Sequence, residues 1–221
     1  MAAKPPSSVV RAPTPSTPRN MKIEFGEEPD FVSGRLQRVY EDRPNCLASF
    51  VHDKLHPMQP TQLTSLDVDS AGRIWRPTAR RYDVVLPDSA PEMYVDVRLL
   101  VEAAEREMRA DQYDLLVAVK VTFPKTAVLH TSWEQSRLFG RHIAVRFGVA
   151  VVVIQHVPAL SGCKNPALPH VHVLILPRLL EATGFTSFCE VTTAAGHSQL
   201  AAMWRVLPWR GELTCCGNGQ L

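Results

Sequence analysis

The chain has 221 residues, of which 45% are hydrophobic and 21% charged, with a formal net charge of +2. That length supports one domain with a sizeable core, and the small net charge excludes a polycation wrapped non-specifically on nucleic acid. No apolar stretch approaches the ~20 residues of a membrane span. The five scattered cysteines do not form an even-numbered disulfide framework, so reduced thiols, a cytoplasmic location and no membrane partner are expected.

In chain order, residues 1–30 read as a disordered basic tail rich in Pro, Ser and Thr, without the apolar core of a secretory signal. Either Met1 or Met21 fits as the first residue. Residues 31–208 are expected to form one domain, and 209–221, with the vicinal Cys215 and Cys216, a flexible tail. The region from 31 to 94 has mixed patterning; within it, Tyr82 to Leu86 is a short apolar run closed by a Pro-Asp-Ser-Ala-Pro turn. Val97, Leu100, Val101, Ala104 and Met108 recur at helical spacing, which predicts a helix over Val95 to Tyr113.

"DLLVAVKVTFP", Asp114 to Pro124, is rich in β-formers and stopped by proline, and reads as a strand. The following helix has Ser132 as expected N-cap, Gln135 as its capping-box partner and Gly148 as terminator. "VAVVVIQHV" is apolar on both alternations, as a central buried strand requires. A turn-rich loop leads to the strand "HVHVLILPR", and "GHSQLAAMWRVLPW" reads as a closing amphipathic helix. The order predicts an α+β fold, a mostly antiparallel sheet with helices on one face.

Alternate residues of a strand share a face, so His170 and His172 project together, about 7 Å apart along the strand. His156 ends the preceding strand. If the two strands pair antiparallel, three imidazoles converge, a donor set suited to a divalent transition metal with positions left for water or a phosphate oxygen. A lone strand histidine is more often just a hydrogen-bonded packing residue; a pair at i, i+2 with a third nearby favours a shared metal or phosphate site. Arginine outnumbers lysine, which suits bidentate phosphate contacts and equally follows from a GC-rich gene.

The motifs "VVVIQHVP", Asn165, "HVHVLILPR" and Arg178 resemble the MobA/MobL plasmid mobilisation relaxases, members of the HUH endonucleases. The likeness extends from "VVLPDSAPEMYVDVRLLVEAAEREMRADQYDLLVAVKVTFPKT" through "RLFGRHIAVRFGVAVVVIQH" to "LLEATGF" and "LAAMWRVL", roughly Tyr82 to Leu207. The resemblance implies a relaxase-like nuclease fold that nicks one DNA strand at a plasmid transfer origin through a tyrosine, with His156, His170 and His172 holding Mg2+ or Mn2+. It implies single-stranded or transfer-origin DNA as partner, and possible accessory relaxosome proteins. Lys164 and Arg38 are the expected DNA contacts with Arg178, which equally fits a strand-end cap.

The family's nucleophile lies in an N-terminal alanine-rich helix. The corresponding stretch here, "RPNCLASFVHDKL" from Arg43 to Leu55, has Phe50 and His52 but no tyrosine. Tyr40, among basic neighbours, is the remaining upstream candidate, and Tyr82, Tyr94 and Tyr113 are expected to be half-buried packing residues. The family's acid before the first histidine is also missing, leaving Asp83, Asp88 and Asp114 as candidates to orient a ligand. The alternatives are an inactive relaxase-like remnant that binds only DNA or metal, and a histidine-triad nucleotide hydrolase. The latter needs a third alternating histidine where this chain has Leu168 or Leu174.

Overall fold

The computed structural model describes residues 21–28, 30–58, 72–161 and 167–207. Residues 1–20 of the expected 1–30 tail, Lys164 and the C-terminal tail lie outside them, whereas Met21–Glu28, expected within that disordered tail, forms a strand of the sheet. The described part is α+β, with a seven-stranded sheet of order β1 (Met21–Glu28), β2 (Phe31–Gln37), β6 (Asp114–Thr122), β8 (His170–Glu181), β7 (Val149–His156) and β5 (Arg81–Val85), and β9 (Gly184–Phe188) paired to β8. Every pairing is antiparallel. A separate hairpin joins β3 (Val39–Tyr40) and β4 (Arg43–Pro44).

The helices cover both faces rather than one. The cause is in the central strands, which are apolar at both alternations and need a lid on each side. Leu116, Ala118, Val152, Ile154, Leu174 and Leu176 pack with α1 (Leu47–Leu55) and α2 (Val97–Arg106). Val117, Val119, Val151, Val153, Val173 and Ile175 pack instead with α3 (Leu129–Phe147) and α4 (Ala194–Val206). Leu100 and Val101 of α2 are fully buried, each worth about 1.5–3 kcal/mol relative to exposure.

Helix ends depart from the pattern read in the sequence. The expected helix over Val95 to Tyr113 divides into a 3-10 turn, Glu92–Val95, and α2, because the Asp96 carboxylate accepts from the Arg98 and Leu99 amides and caps the helix there. Ser132 is not an N-cap: α3 begins a turn earlier, after Val128, and the Ser132 hydroxyl donates to the Val128 carbonyl inside the helix. Gly148 does end α3, in a left-handed conformation at φ 66°. A Cβ at Gly140 would come within 2.9 Å of Val153, so glycine lets α3 lie close on β7.

The mixed region after the tail supplies β2 and α1. The Glu105 carboxylate of α2 accepts from the Ala48 amide at 2.9 Å and the Cys46 thiol at 3.0 Å, fixing the start of α1 against α2. That docking carries the end of α1 to the histidine end of the sheet.

Candidate metal centre

Strand register brings the three histidines together. His156 lies directly opposite His170, and His172 opposite Ile154, so all three side chains leave one face at one end of the sheet. Their ring centroids are 5.2 Å (His156–His170), 4.8 Å (His156–His172) and 5.0 Å (His170–His172) apart, and one nitrogen from each lies within 4.8 Å of the others. His170 and His172 are each 9% exposed, and His156 is half-buried.

Two backbone carbonyls set the tautomers. His156 Nε2 lies 2.6 Å from the Lys54 carbonyl and His170 Nδ1 lies 2.8 Å from the Leu168 carbonyl. A carbonyl only accepts, so each of those nitrogens carries the proton, leaving a lone pair on His156 Nδ1 and on His170 Nε2. Carbonyls thus do the orienting for which an acid was expected. Asp83 pairs instead with Arg137 at 2.6 Å and Asp114 with Arg35 at 3.4 Å, while Asp88 is exposed.

Burial favours the neutral imidazole at all three positions. It lowers His170 to about 4, lowers His172 well below the ordinary value and lowers His156 as well. The charged groups acting on the trio are Lys54 and Lys120, and both push in the same direction. Three neutral nitrogen donors fit a divalent transition ion; Mg2+, which favours oxygen ligands, is the poorer match to this set.

The other expected site residues lie elsewhere. β6 runs from Asp114, opposite Gln37, to Thr122, opposite His170. Those eight steps span about 26 Å at the usual strand rise. Tyr40 follows Gln37 in the β3–β4 hairpin and sits at the end of the sheet away from the histidines, so the fold does not bring it to them. Arg38 is exposed at that same end, with its backbone amide donating to the Tyr113 carbonyl.

Arg178 is eight residues along β8 from His170 and only 7% exposed. Its guanidinium donates to the Thr186, Glu107 and Phe185 carbonyls and ties β9 to the end of α2. All three contacts are internal, an arrangement that matches a strand-end cap.

Of the tyrosines expected to be packing residues, Tyr94 is buried and Tyr113 is 82% exposed before β6. Tyr82 is 42% exposed and lies opposite Ile154 in the β5–β7 pair, on the face that carries the histidines. It is the diagonal neighbour of His156, a relation that puts Cα atoms about 7–8 Å apart. Burial, with Asp96 and Asp83 nearby, raises its pKa, so the phenol is neutral at physiological pH.

The fold and the histidines define an antiparallel α+β chain with a three-histidine centre at one end of its sheet. No family model matches the chain, and no curated protein matches it. One similar solved structure concerns the molecular basis of vancomycin resistance transfer in Staphylococcus aureus: 16% identity, TM-score 0.48, covering 58% of this chain and 66% of that one. This chain therefore spans just under two thirds of that chain's length. No helix among the described residues is long and apolar enough to cross a membrane.

Proposed function

We propose that the chain handles single-stranded DNA as a mobilisation relaxase does, holding a divalent transition ion on His156, His170 and His172 and nicking one strand at a transfer origin. The observation that carries this reading is the β7–β8 register, which sets His156 opposite His170 with His172 beside them, buried and neutral. An ion bound there would supply Lewis acidity to a phosphoryl oxygen. The likeness of "VVVIQHVP" and "HVHVLILPR" to the MobA/MobL motifs supports DNA as the substrate and accessory relaxosome proteins as partners.

Tyr82 is the nucleophile in this reading, in place of Tyr40. Its hydroxyl forms a bond to phosphorus as the bond from phosphorus to the 3′ oxygen breaks. The phenol gives up its proton, the departing 3′ oxygen takes one up, and the product is a 5′-phosphotyrosine with no net oxidation and no water consumed. The step reverses to reseal the strand.

The test is a covalent protein–DNA band on a denaturing gel after incubation with Mn2+ and randomised single-stranded oligonucleotides. The band is expected in the unaltered chain and in Tyr40→Phe, and absent in Tyr82→Phe. A band that persists in Tyr82→Phe but vanishes in Tyr40→Phe reverses the assignment. Metal binding with no band in any variant favours the second reading, a relaxase-like remnant. That reading draws support from Phe50, a buried residue in the helix where a family tyrosine is expected.

A further inference from the structure

We propose that Lys54 and Lys120 make the histidine centre a coupled phosphodiester-and-metal site, in which each ligand binds tightly only when the other is present. The inference rests on the metal reading above and adds two lysines to the site.

Both lysines belong to the centre by position. Lys120 lies directly opposite His172 in the β6–β8 pair, so the two side chains leave the same face as neighbours. Lys54 is in the last turn of α1; its carbonyl holds His156, and its ammonium lies 5.2 Å from the centre of the Phe50 ring. Each lysine acts electrostatically on all three histidines, and the two act on each other.

No carboxylate balances them at the histidines. Among the described residues the acid that acts on Lys54 is Asp53, which lies 3.8 Å from His52, and no carboxylate is among the groups acting on the trio. Neither ammonium forms an ion pair with a described residue. Holding two partly buried cations beside three neutral donors is costly without an anionic partner.

The charge balance then decides the order of affinities. A divalent cation arriving alone gains three nitrogen donors and meets two positive charges. A phosphodiester arriving alone meets two cations and no repulsive acid. Together, the phosphodiester's negative charge offsets the lysines and its oxygens supply the hard ligands that the protein lacks. Linkage requires the effect to be reciprocal, so the factor by which one ligand strengthens the other is the same in both directions.

The experiment titrates the full chain with Mn2+, read by the loss of the free-ion EPR signal, with and without a saturating thymidine dinucleotide as phosphodiester probe. Calorimetry gives the dinucleotide affinity with and without Mn2+. Expected are a rise of about tenfold or more in each affinity when the other ligand is present, and equal factors within error.

Lys120→Gln, with Lys54→Gln as a second variant on a different element, removes one positive charge. Each is expected to bind Mn2+ alone about tenfold more tightly and the dinucleotide more weakly, with reduced coupling. Opposite signs separate this role from a structural one, because damage to the site weakens both ligands. Mn2+ binding that ignores the dinucleotide overturns the coupling and leaves the metal centre standing. Both variants losing Mn2+ affinity also overturns it. No Mn2+ binding in any condition overturns the coupling and the metal reading together.

Discussion

Lowering the pH from 7 to 5.5 is a direct probe of the histidine centre, because a metal competes with protons for the imidazole lone pairs. An ordinary exposed histidine titrates near 6.5, so at pH 5.5 about ten of every eleven are protonated. Each such ligand then costs roughly tenfold in affinity, and three cost several hundredfold relative to pH 7. The buried trio behaves differently. His170 is lowered to about 4 and His172 well below its ordinary value, so both keep their lone pairs at pH 5.5. His156 is also lowered but is half-buried, and it alone sets the residual proton competition. The apparent Mn2+ affinity, measured with the thymidine dinucleotide held constant, is therefore expected to fall by no more than about tenfold over this range. The dinucleotide phosphate does not change charge between these pH values. Circular dichroism at each pH checks that the chain remains folded. A several-hundredfold loss in a folded protein would mean that the rings are hydrated and titrate normally, and would refute the buried, neutral trio.

Two further substitutions test groups outside the centre. His197 is 2% exposed, lies 3.0 Å from the Ser33 hydroxyl through Nδ1, and is lowered by burial to about 4. Between pH 6.5 and 4 the unfolded chain takes up a proton there that the folded chain refuses, so stability falls with pH, by at most ~3 kcal/mol once the pH is below 4. Denaturant melts of His197→Gln across that range should have a shallower acid limb, and an unchanged limb removes His197 as a contributor. Arg178→Ala leaves three carbonyls, one of them in a fully buried contact, without their charged donor and is expected to cost about 3 kcal/mol in urea unfolding. Its dinucleotide affinity should stay unchanged in native buffer; a loss of affinity at normal stability would return Arg178 to the DNA contacts.

The central strands were legible because both determinants are local. "VAVVVIQHV" and "HVHVLILPR" are apolar at both alternations, and the i, i+2 spacing of His170 and His172 fixes their shared face without knowledge of neighbours. Their apolarity on both faces also implied two covering layers, although the element order was read as one. The region around α1 was opaque for a physical reason. A nine-residue helix has little helical preference of its own, and α1 is held by Glu105 of α2 and by burial of Leu47, Val51 and Leu55. Lys120 did leave a signal: it is a lone cation inside the apolar run "LLVAVKVTF", and a charge at a core position of a central strand calls for a partner. Lys54 left none, because its approach to His156 depends on a contact across 102 residues.

Tyrosine placement turns on strand order, which no local pattern contains. Tyr40 was favoured by its basic neighbours, yet β2 enters the sheet from the histidine end and leaves at the opposite one, taking Tyr40 with it. From the sequence, Tyr82 is expected to be a half-buried packing residue. The edge position of β5 reverses that inference: an edge strand has one sheet neighbour, so a residue on its interior-facing alternation can still reach solvent. The two ends of the sheet consequently differ in kind. At one end the histidines, both lysines and Tyr82 share a face with few internal polar partners, leaving their chemistry available to a ligand. At the other, Arg178 spends its donors on backbone carbonyls and Arg35 pairs with Asp114, so charge there serves the fold. Arg178, expected among the DNA contacts, is bound within the protein, as is Arg35, whereas the cations beside the histidines are Lys120, a lone charge in its apolar run, and Lys54, which leaves no mark in the sequence.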